Sequence, residues 1–278
     1  MTSPIDPQEQ LYAHINGPRN DLLSRLAVSE LCKGWPVYRD ASEWKNFRSL
    51  FGEEAYVWTT WSRRLSIDDF IQKSKEGKSN GDFIMHRECG TAVDLNPSAR
   101  RAVGKMKATI TQRFTIRGDE ARGVEPVVFD VDCDCRFHFF CYQEASEAGG
   151  GWRVKYVKLI YDKDKVVPVD GKTAPSFARA VLDRCPEGYK YLGAAQRMLG
   201  HQIDEFLPTI QGPEHGATHA MWMDMYAKMG QWLDGQDVDL ATTPGGDETP
   251  SGKGHRNGSG NGVVDGFGRE RIVGYETA

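Results

Sequence analysis

The chain has 278 residues, of which 39% are hydrophobic and 27% charged, and its formal net charge at pH 7 is −4; this composition is typical of a globular protein with one large or two small domains. Acidic and basic residues are interleaved and the longest apolar runs are far too short to cross a bilayer, which argues against a nucleic-acid-binding or membrane protein. The first ten residues are polar and carry no secretory signal, so we expect a cytoplasmic protein.

The N-terminal part of the chain is predicted to be helical. We expect residues 1–18 to form a flexible arm, after which Asn20 can cap a helix that continues to Leu31. The Gly-x-Pro sequence at 34–36 should end that helix. Aromatic and leucine side chains recur at helical spacing over 38–50, which predicts a second helix there.

Strands follow, with one short helix between the first two. Residues 55–61 are rich in β-branched and aromatic side chains and predict the first strand. Ser66, followed three residues later by Asp69, is a capping pattern for a helix over 66–75. Alternating apolar residues predict four more strands downstream: 83–95, 102–117, 127–144 and 152–161.

The lengths and connections of these strands predict the fold class. Strands of ten or more residues joined by tight turns form an antiparallel, strongly curved sheet, and helices that precede the sheet can pack against its concave face. We therefore predict an α+β domain over 19–172, in which the curved sheet wraps around helices.

Beyond this domain the sequence changes character. Helical patterns over 189–206 and 217–233 predict a C-terminal helical extension, 173–235. Their methionine-rich apolar stripes should dock on the domain or on a partner subunit, so we expect a homodimer or homotrimer. Residues 236–278 contain few apolar side chains and are predicted to be mostly disordered.

The strand over 131–142 carries two alternating sets of side chains. One set is apolar or cysteine, and the other grades from charged to aromatic residues: Asp132, Asp134, Arg136, His138, Phe140 and Tyr142. A polar set usually faces water. In a sheet that curves around a pocket, the same set can line the cavity instead, and both interpretations stay open here.

The six cysteines are expected to be reduced core residues in a cytoplasmic chain of this size. Cys133 and Cys135 form a C-x-C pair, yet no second Cys or His pair stands at the spacing of a zinc finger or zinc ribbon. We therefore expect no structural metal and no cofactor.

Asp40 and His86 are two isolated candidates for chemistry. Asp40 lies near the predicted helix break, where a single acid is most often a helix cap or a surface residue. His86 lies in an apolar strand, where a single histidine is most often a core residue with satisfied hydrogen bonds. Neither residue predicts a site by itself.

The order of the parts, however, resembles the SnoaL-like branch of the nuclear transport factor two-like superfamily, and most closely the scytalone dehydratase-like proteins. The resemblance covers roughly residues 20–170 and implies the cone-shaped fold and its pocket. It rests on Tyr38, Asp40, Trp44, His86, the Thr-Gln-Arg-Phe sequence at 111–114 and the Gly-Trp-Arg-Val sequence at 151–154.

The resemblance implies that His86 is a general base and acid and that Asp40 orients and polarises it, an arrangement that raises imidazole basicity near neutral pH. Arg136 falls where the related dehydrochlorinases place an arginine, which can stabilise developing negative charge. These three residues are the predicted catalytic set. Six more are predicted to contact the substrate: Tyr38, Thr59, Trp61, Thr111, His138 and Phe140.

The chain departs from the dehydratase pattern at three positions. A threonine, Thr111, stands close to the position of the second histidine of that family. Arg39 and Tyr38 are nearest to the first of its two water-holding tyrosines, and Thr59 is nearest to the second. These departures argue against scytalone as the substrate and favour another polyketide- or terpenoid-derived ring.

Two functions of different classes follow. The first is a cofactor-free lyase (dehydratase) or an isomerase or cyclase of secondary metabolism, which transfers a proton on a small aromatic or cyclic substrate. The pocket for a flat ring would be lined by aromatic side chains: Trp58, Trp61, Phe83, Phe140 and Tyr142. The alternative is a non-catalytic binding or assembly module of the same fold.

A third function would be a metal-dependent ring oxygenase. It would bind iron through His86, His138 and an acid in a facial triad, but no short-range spacing in the sequence supports it.

Overall fold

The structure is a computed structural model that describes residues 16–145, 150–209 and 217–241, and the backbone at 263–264 and 270–271. Its helices are α1 Arg19–Asp40, α2 Trp44–Ser49, α3 Ile67–Ser79, α4 Arg179–Leu182, α5 Lys190–Met198 and α6 Ala217–Leu233. Its strands are β1 Phe51–Thr59, β2 Arg63–Ser66, β3 Phe83–Asn96, β4 Arg101–Ile116, β5 Val127–Gln143, β6 Trp152–Pro168, β7 Val263–Val264 and β8 Glu270–Arg271.

The first six strands form one curved, open sheet in the order β2-β1-β6-β5-β4-β3, so the predicted α+β class is confirmed. The short β7 and β8 add to the end of β4. The prediction of purely antiparallel pairing is wrong at one place, because β1 and β6 run parallel. The long stretch of chain between them provides the crossover that parallel neighbours need.

Helix α1 lies on the concave face of the sheet and passes through the predicted break at 34–36. At Gly34 the two methyl groups of Leu50 would stand 2.8 Å from an added Cβ. Glycine is therefore needed there for close packing rather than to end the helix. The buried stripe along α1 outweighs the weak helix propensity of glycine and proline. The predicted helix over 38–50 is accordingly reduced to α2.

The convex face of the sheet is covered by α6, which docks on its own domain. The indole Nε1 of Trp232 donates to the backbone oxygens of Ala102 and Cys141, at 3.1 Å each. Val238 and Leu240 are also buried against this face, so the chain stays packed to residue 241. The oligomer expected from the helical stripes stays a prediction.

Several other boundaries shift. The helix predicted over 189–206 ends at Met198, and Gly200 follows it with a left-handed φ of 82°. Ser66 caps α3 as predicted, by accepting a hydrogen bond from the Asp69 amide at 3.1 Å. Residues 1–15 of the predicted arm and most of the predicted tail lie outside the described residues. Within the described part of the chain, no helix is both long and apolar enough to span a membrane.

The approach of α1 to the sheet provides a test of this packing. A Cβ at Gly104 in β4 would overlap with Cys32 Sγ in α1. We expect Gly104→Ala to lower the free energy of unfolding by about 1–3 kcal/mol, because a well-packed core does not accept an added methyl group. Urea denaturation followed by tryptophan fluorescence measures the change.

Two further variants control this experiment. Gly151→Ala adds the same methyl group where the nearest atom is a flexible Arg153 nitrogen at 3.4 Å, and it should cost little. Adding Cys32→Ala to Gly104→Ala should restore much of the lost stability. Equal losses in Gly104→Ala and Gly151→Ala would contradict the packing described here.

Candidate active site

Helix α1 points a row of side chains into the concave side of the sheet. Val28, Cys32, Trp35 and Arg39 follow one another at intervals of four, three and four residues, and all four are buried. This spacing keeps them on one helix face. The row ends at Arg39, and the next residue, Asp40, is the last of the helix.

His86 lies on β3, the edge strand beside β4, and its side chain points to the same concave side. Its imidazole is 4% exposed. The ring meets Trp35 and Phe137 edge to face, with centroids 6.4 and 5.8 Å away. These aromatic walls exclude water from two sides of the ring.

Asp40 and His86 are joined by two hydrogen bonds. The Asp40 Oδ1 atom lies 2.8 Å from His86 Nδ1, and Oδ2 accepts from the His86 backbone N–H at 2.6 Å. An ionised carboxylate can only accept, so Nδ1 carries the proton of this bond. The lone pair of the imidazole then resides on Nε2. The structure thus brings together the two residues that the sequence placed as a proton-transfer pair.

The charges of the pair follow from their surroundings. Burial lowers the pKa of His86, and the nearby Arg39 and Lys78 cations lower this pKa further, against the opposing effect of Asp40. Burial alone would raise the pKa of Asp40, but the His86 hydrogen bonds and the Arg39 charge outweigh it and the pKa is lowered. The pair at neutral pH is therefore a carboxylate and a neutral imidazole, which is the basic form.

Two adjoining cavities lie next to this pair. The inner one, of about 20 Å³, is lined by His86, Trp35 and Phe137 among others. The outer one, of about 30 Å³, is lined by Lys73, Lys78 and His201 among others. Both share four wall residues: Arg39, Trp61, Ile84 and Gln112. The inner cavity has room for about one water molecule, so a ring substrate requires side chains at this shared wall to move.

One wall of the inner cavity carries a hydrogen-bonded network. Thr60 Oγ1 donates to Gln196 Oε1 at 2.6 Å, and Gln196 Nε2 donates to Gln112 Oε1 at 2.9 Å. Tyr161 OH accepts from the Thr60 N–H at 3.2 Å, and burial raises the pKa of this phenol well above its usual value. The phenol therefore keeps its proton for a second partner. Because Gln196 belongs to α5, the C-terminal extension closes this wall.

Of the six residues predicted to contact substrate, two line the cavity. Thr59 and Trp61 are wall residues. Tyr38 packs against the core but does not line either cavity. On a helix it is rotated by about 100° from the adjacent Arg39, and Arg39 takes the inward direction.

The remaining three predicted contact residues and the predicted catalytic Arg136 lie on the convex face, where the structure does not bring them to His86. Arg136, predicted to be catalytic, pairs instead with Asp162, with 3.2 Å between Nε and Oδ2. Thr111 Oγ1 donates to Asp132 at 2.6 Å. His138 and Phe140 are buried beneath α6. Successive side chains of a strand point to opposite faces, and Phe137 takes the concave side.

The alternative that the 131–142 set lines the cavity is therefore wrong. This set of side chains becomes aromatic toward residue 142 because α6 covers the convex face there. Phe140 meets Trp232 at 6.0 Å, and Trp58 and Tyr142 belong to the same convex cluster. Phe83, also predicted to line the pocket, is 43% exposed, and its ring centre lies 5.9 Å from the Arg113 guanidinium.

The metal-triad hypothesis is contradicted by the same alternation, because His86 and His138 point to opposite faces of the sheet. Cys133 and Cys135 are both buried with free thiols. Among the residues that the structure describes, no group of three or more His, Cys, Asp and Glu side chains is arranged to hold a metal ion.

Sequence reasoning missed five polar wall residues of the inner cavity: Thr60, Arg39, Gln112, Tyr161 and Gln196. Arg39 follows Trp35 by four positions, so its burial was readable from the spacing of the α1 stripe. Gln112 is next to the proposed Thr111, and only the strand register decides which of the two points inward. Tyr161 was placed at the end of a strand without a role, and Gln196 lies in the extension, where no pattern indicated a contact with the pocket.

Comparisons with known proteins agree with this architecture. Residues 20–158 match the model of a family described as SnoaL-like domain. The chain is 41% identical over 247 residues to an uncharacterised protein of Emericella nidulans, covering 85% of this chain and 97% of that protein. It is 40% identical over 235 residues to pea pathogenicity protein 2 of Fusarium vanettenii, covering 81% and 92% respectively.

Two solved structures are more distant. A hexachlorocyclohexane dehydrochlorinase of Novosphingobium barchaimii has a TM-score of 0.41 and 11% identity, covering 56% of this chain and 98% of its own. A proposed scytalone dehydratase of Novosphingobium aromaticivorans has a TM-score of 0.41 and 13% identity, covering 56% and 92%.

The position of His138 predicts a pH dependence of stability. Burial, together with the Lys105 and Arg136 charges, lowers the pKa of His138 to about 3. In an unfolded chain the pKa of histidine is about 6.5. Below that pH the unfolded chain binds a proton that the folded chain does not, so stability falls as the pH drops toward about 3.

We expect His138→Gln to remove this contribution. The unfolding free energy falls when the pH is lowered from about 7 to about 5, and this fall should be about 2 kcal/mol smaller in the variant than in the wild type. Urea denaturation at the two pH values measures the difference. His86, whose pKa is also lowered, contributes equally in both proteins. An identical pH dependence in the two proteins would contradict the buried, neutral state of His138.

Proposed function

The chain belongs to the SnoaL-like family, and on that premise we propose that it is a cofactor-free enzyme that moves a proton on a small ring compound. The reaction is an elimination of water or an isomerisation or cyclisation. The observation that carries the proposal is the bidentate contact of Asp40 with His86 at the wall of a cavity lined by both aromatic and polar side chains. The sheet and its pocket alone would fit many functions.

The proposed chemistry begins with His86. Its Nε2 lone pair takes a proton from the carbon next to a ring carbonyl, and the electron pair of that C–H bond moves onto the carbonyl oxygen as an enolate. The imidazolium formed is stabilised by Asp40. In a dehydration, the enolate expels a hydroxyl group from the neighbouring carbon while the imidazolium returns the proton to it, so that water leaves. In an isomerisation, the proton returns to a different carbon.

The environment supports a flat ring as substrate. Four aromatic side chains line the cavity together with several polar side chains: Trp35, Trp61, Phe70 and Phe137. Small-molecule sites typically combine such aromatic walls with a few placed polar groups that fix orientation. Polyketide- and terpenoid-derived rings of secondary metabolism have such a shape, and they are the substrate class that we propose.

The proposal is tested by proton exchange, which does not require the natural substrate. The protein is incubated in D₂O with 2-tetralone, a bicyclic ketone with acidic protons next to its carbonyl, and loss of their NMR signal is followed. We expect His86→Ala to slow the protein-catalysed exchange by about 10²–10⁴-fold, because the base is removed. Asp40→Asn should also slow it, because an amide no longer fixes the Nδ1–H tautomer.

Arg136→Gln is the matched control for these variants. It removes a charged side chain from the convex face and should leave the exchange rate unchanged. If His86→Ala and Asp40→Asn keep the wild-type rate, the pair is not the proton-transfer unit. If the wild-type protein binds the ketone without exchanging its protons, the chain is a binding module of the same fold.

A further inference from the structure

Arg39 is a buried cation whose hydrogen bonds are incomplete. The residue is 3% exposed, and two of its nitrogens, Nε and Nη1, are buried with no hydrogen-bond partner among the described residues. Its Nη1 lies 3.7 Å from Asp40 Oδ1, which is an ion-pair distance but too long for a hydrogen bond. Both oxygens of Asp40 are already bound to His86.

Such an arrangement has no structural advantage for the apo protein. Buried polar groups are nearly always hydrogen-bonded, and a buried charge is costly unless it is well paired. Arg39 also lies 5.5 Å from the centre of the Phe70 ring, a cation–π contact that provides no hydrogen-bond acceptor for its N–H groups. The unsatisfied donors therefore point to a ligand.

The position of Arg39 shows where that ligand would bind. It is a wall residue of both the inner and the outer cavity, so it stands on the route from the outer cavity to His86. The outer cavity is also lined by Lys73 and Lys78, with Asp82 as its acidic side chain. The charged residues along this route have a positive balance, which attracts an anion.

We infer that Arg39 binds an oxyanion carried by a flat ring, so that the substrates of this site are ring carboxylates or phenolates. This inference rests on the proposed function for the location of the site but not for its chemistry. A cation at this position also lies beside the proton-transfer pair, where an oxygen next to the reacting carbon gains negative charge.

The test compares ring anions with neutral rings of matched shape. Binding of benzoate against benzamide, and of 4-nitrophenolate against 4-nitroanisole, is measured by calorimetry at a pH where both anions are ionised. We expect the wild-type protein to prefer at least one anion by about 10-fold or more, as hydrogen bonds to charged groups usually provide. Which anion is preferred distinguishes a carboxylate from a phenolate substrate.

Variants of Arg39 assign the preference to its charge. Arg39→Gln should abolish it, whereas Arg39→Lys should keep part of it because the charge remains. Arg136→Gln, which removes an arginine paired with Asp162 on the convex face, should leave it unchanged. These titrations measure binding and require no proton transfer, so that a failure of the proposed proton transfer is seen separately from a failure of this inference.

Three results of these titrations would overturn the inference. The wild-type protein could bind anionic and neutral rings equally well. The preference for the anion could survive in Arg39→Gln, or it could be lost equally in Arg136→Gln. If Arg39→Gln does not fold, the wild-type protein still decides the matter. Benzoate or 4-nitrophenolate must then raise its melting temperature more than the matched neutral ring does.

Discussion

The link between the end of α1 and the edge of the sheet organises the site. On its outer side β3 has no neighbouring strand among the described residues, so the N–H of His86 would be unpaired at this edge. Asp40 Oδ2 accepts that N–H, and Asp40 Oδ1 binds the ring of the same residue. One carboxylate therefore accepts the unpaired N–H of the edge strand, fixes the orientation of the imidazole and selects its tautomer. All three effects require the C-terminal end of α1 to reach β3.

Strand alternation then separates two environments with different roles. On the concave face, α1, α3 and α5 surround a cavity with the basic imidazole on one wall and a hydrogen-bonded network on another. On the convex face, α6 buries His138 and Phe140 in a second apolar cluster. The C-terminal extension thus contributes to both sides, because α5 supplies Gln196 to the cavity wall while α6 seals the opposite face.

The sequence predicts most of the strands and the Asp40–His86 pair, but it does not predict which face of the sheet each side chain takes. Alternation and capping identified the long strands and α3, and the order of parts identified Asp40 and His86. The direction of each side chain was harder, since a register error of one residue exchanges Thr111 for Gln112 and one face for the other. Arg136 was misplaced because a single strand cannot show which of its faces a distant helix covers.

The central claim is that Asp40 holds His86 as a neutral imidazole protonated on Nδ1, with Nε2 free as the base. Nitrogen NMR of the ¹⁵N-histidine-labelled protein near neutral pH measures this state directly. The account predicts that His86 shows a protonated Nδ1 and an unprotonated Nε2, and that Asp40→Asn changes this pattern. A His86 ring protonated on Nε2, or on both nitrogens, at neutral pH in the wild-type protein would contradict it.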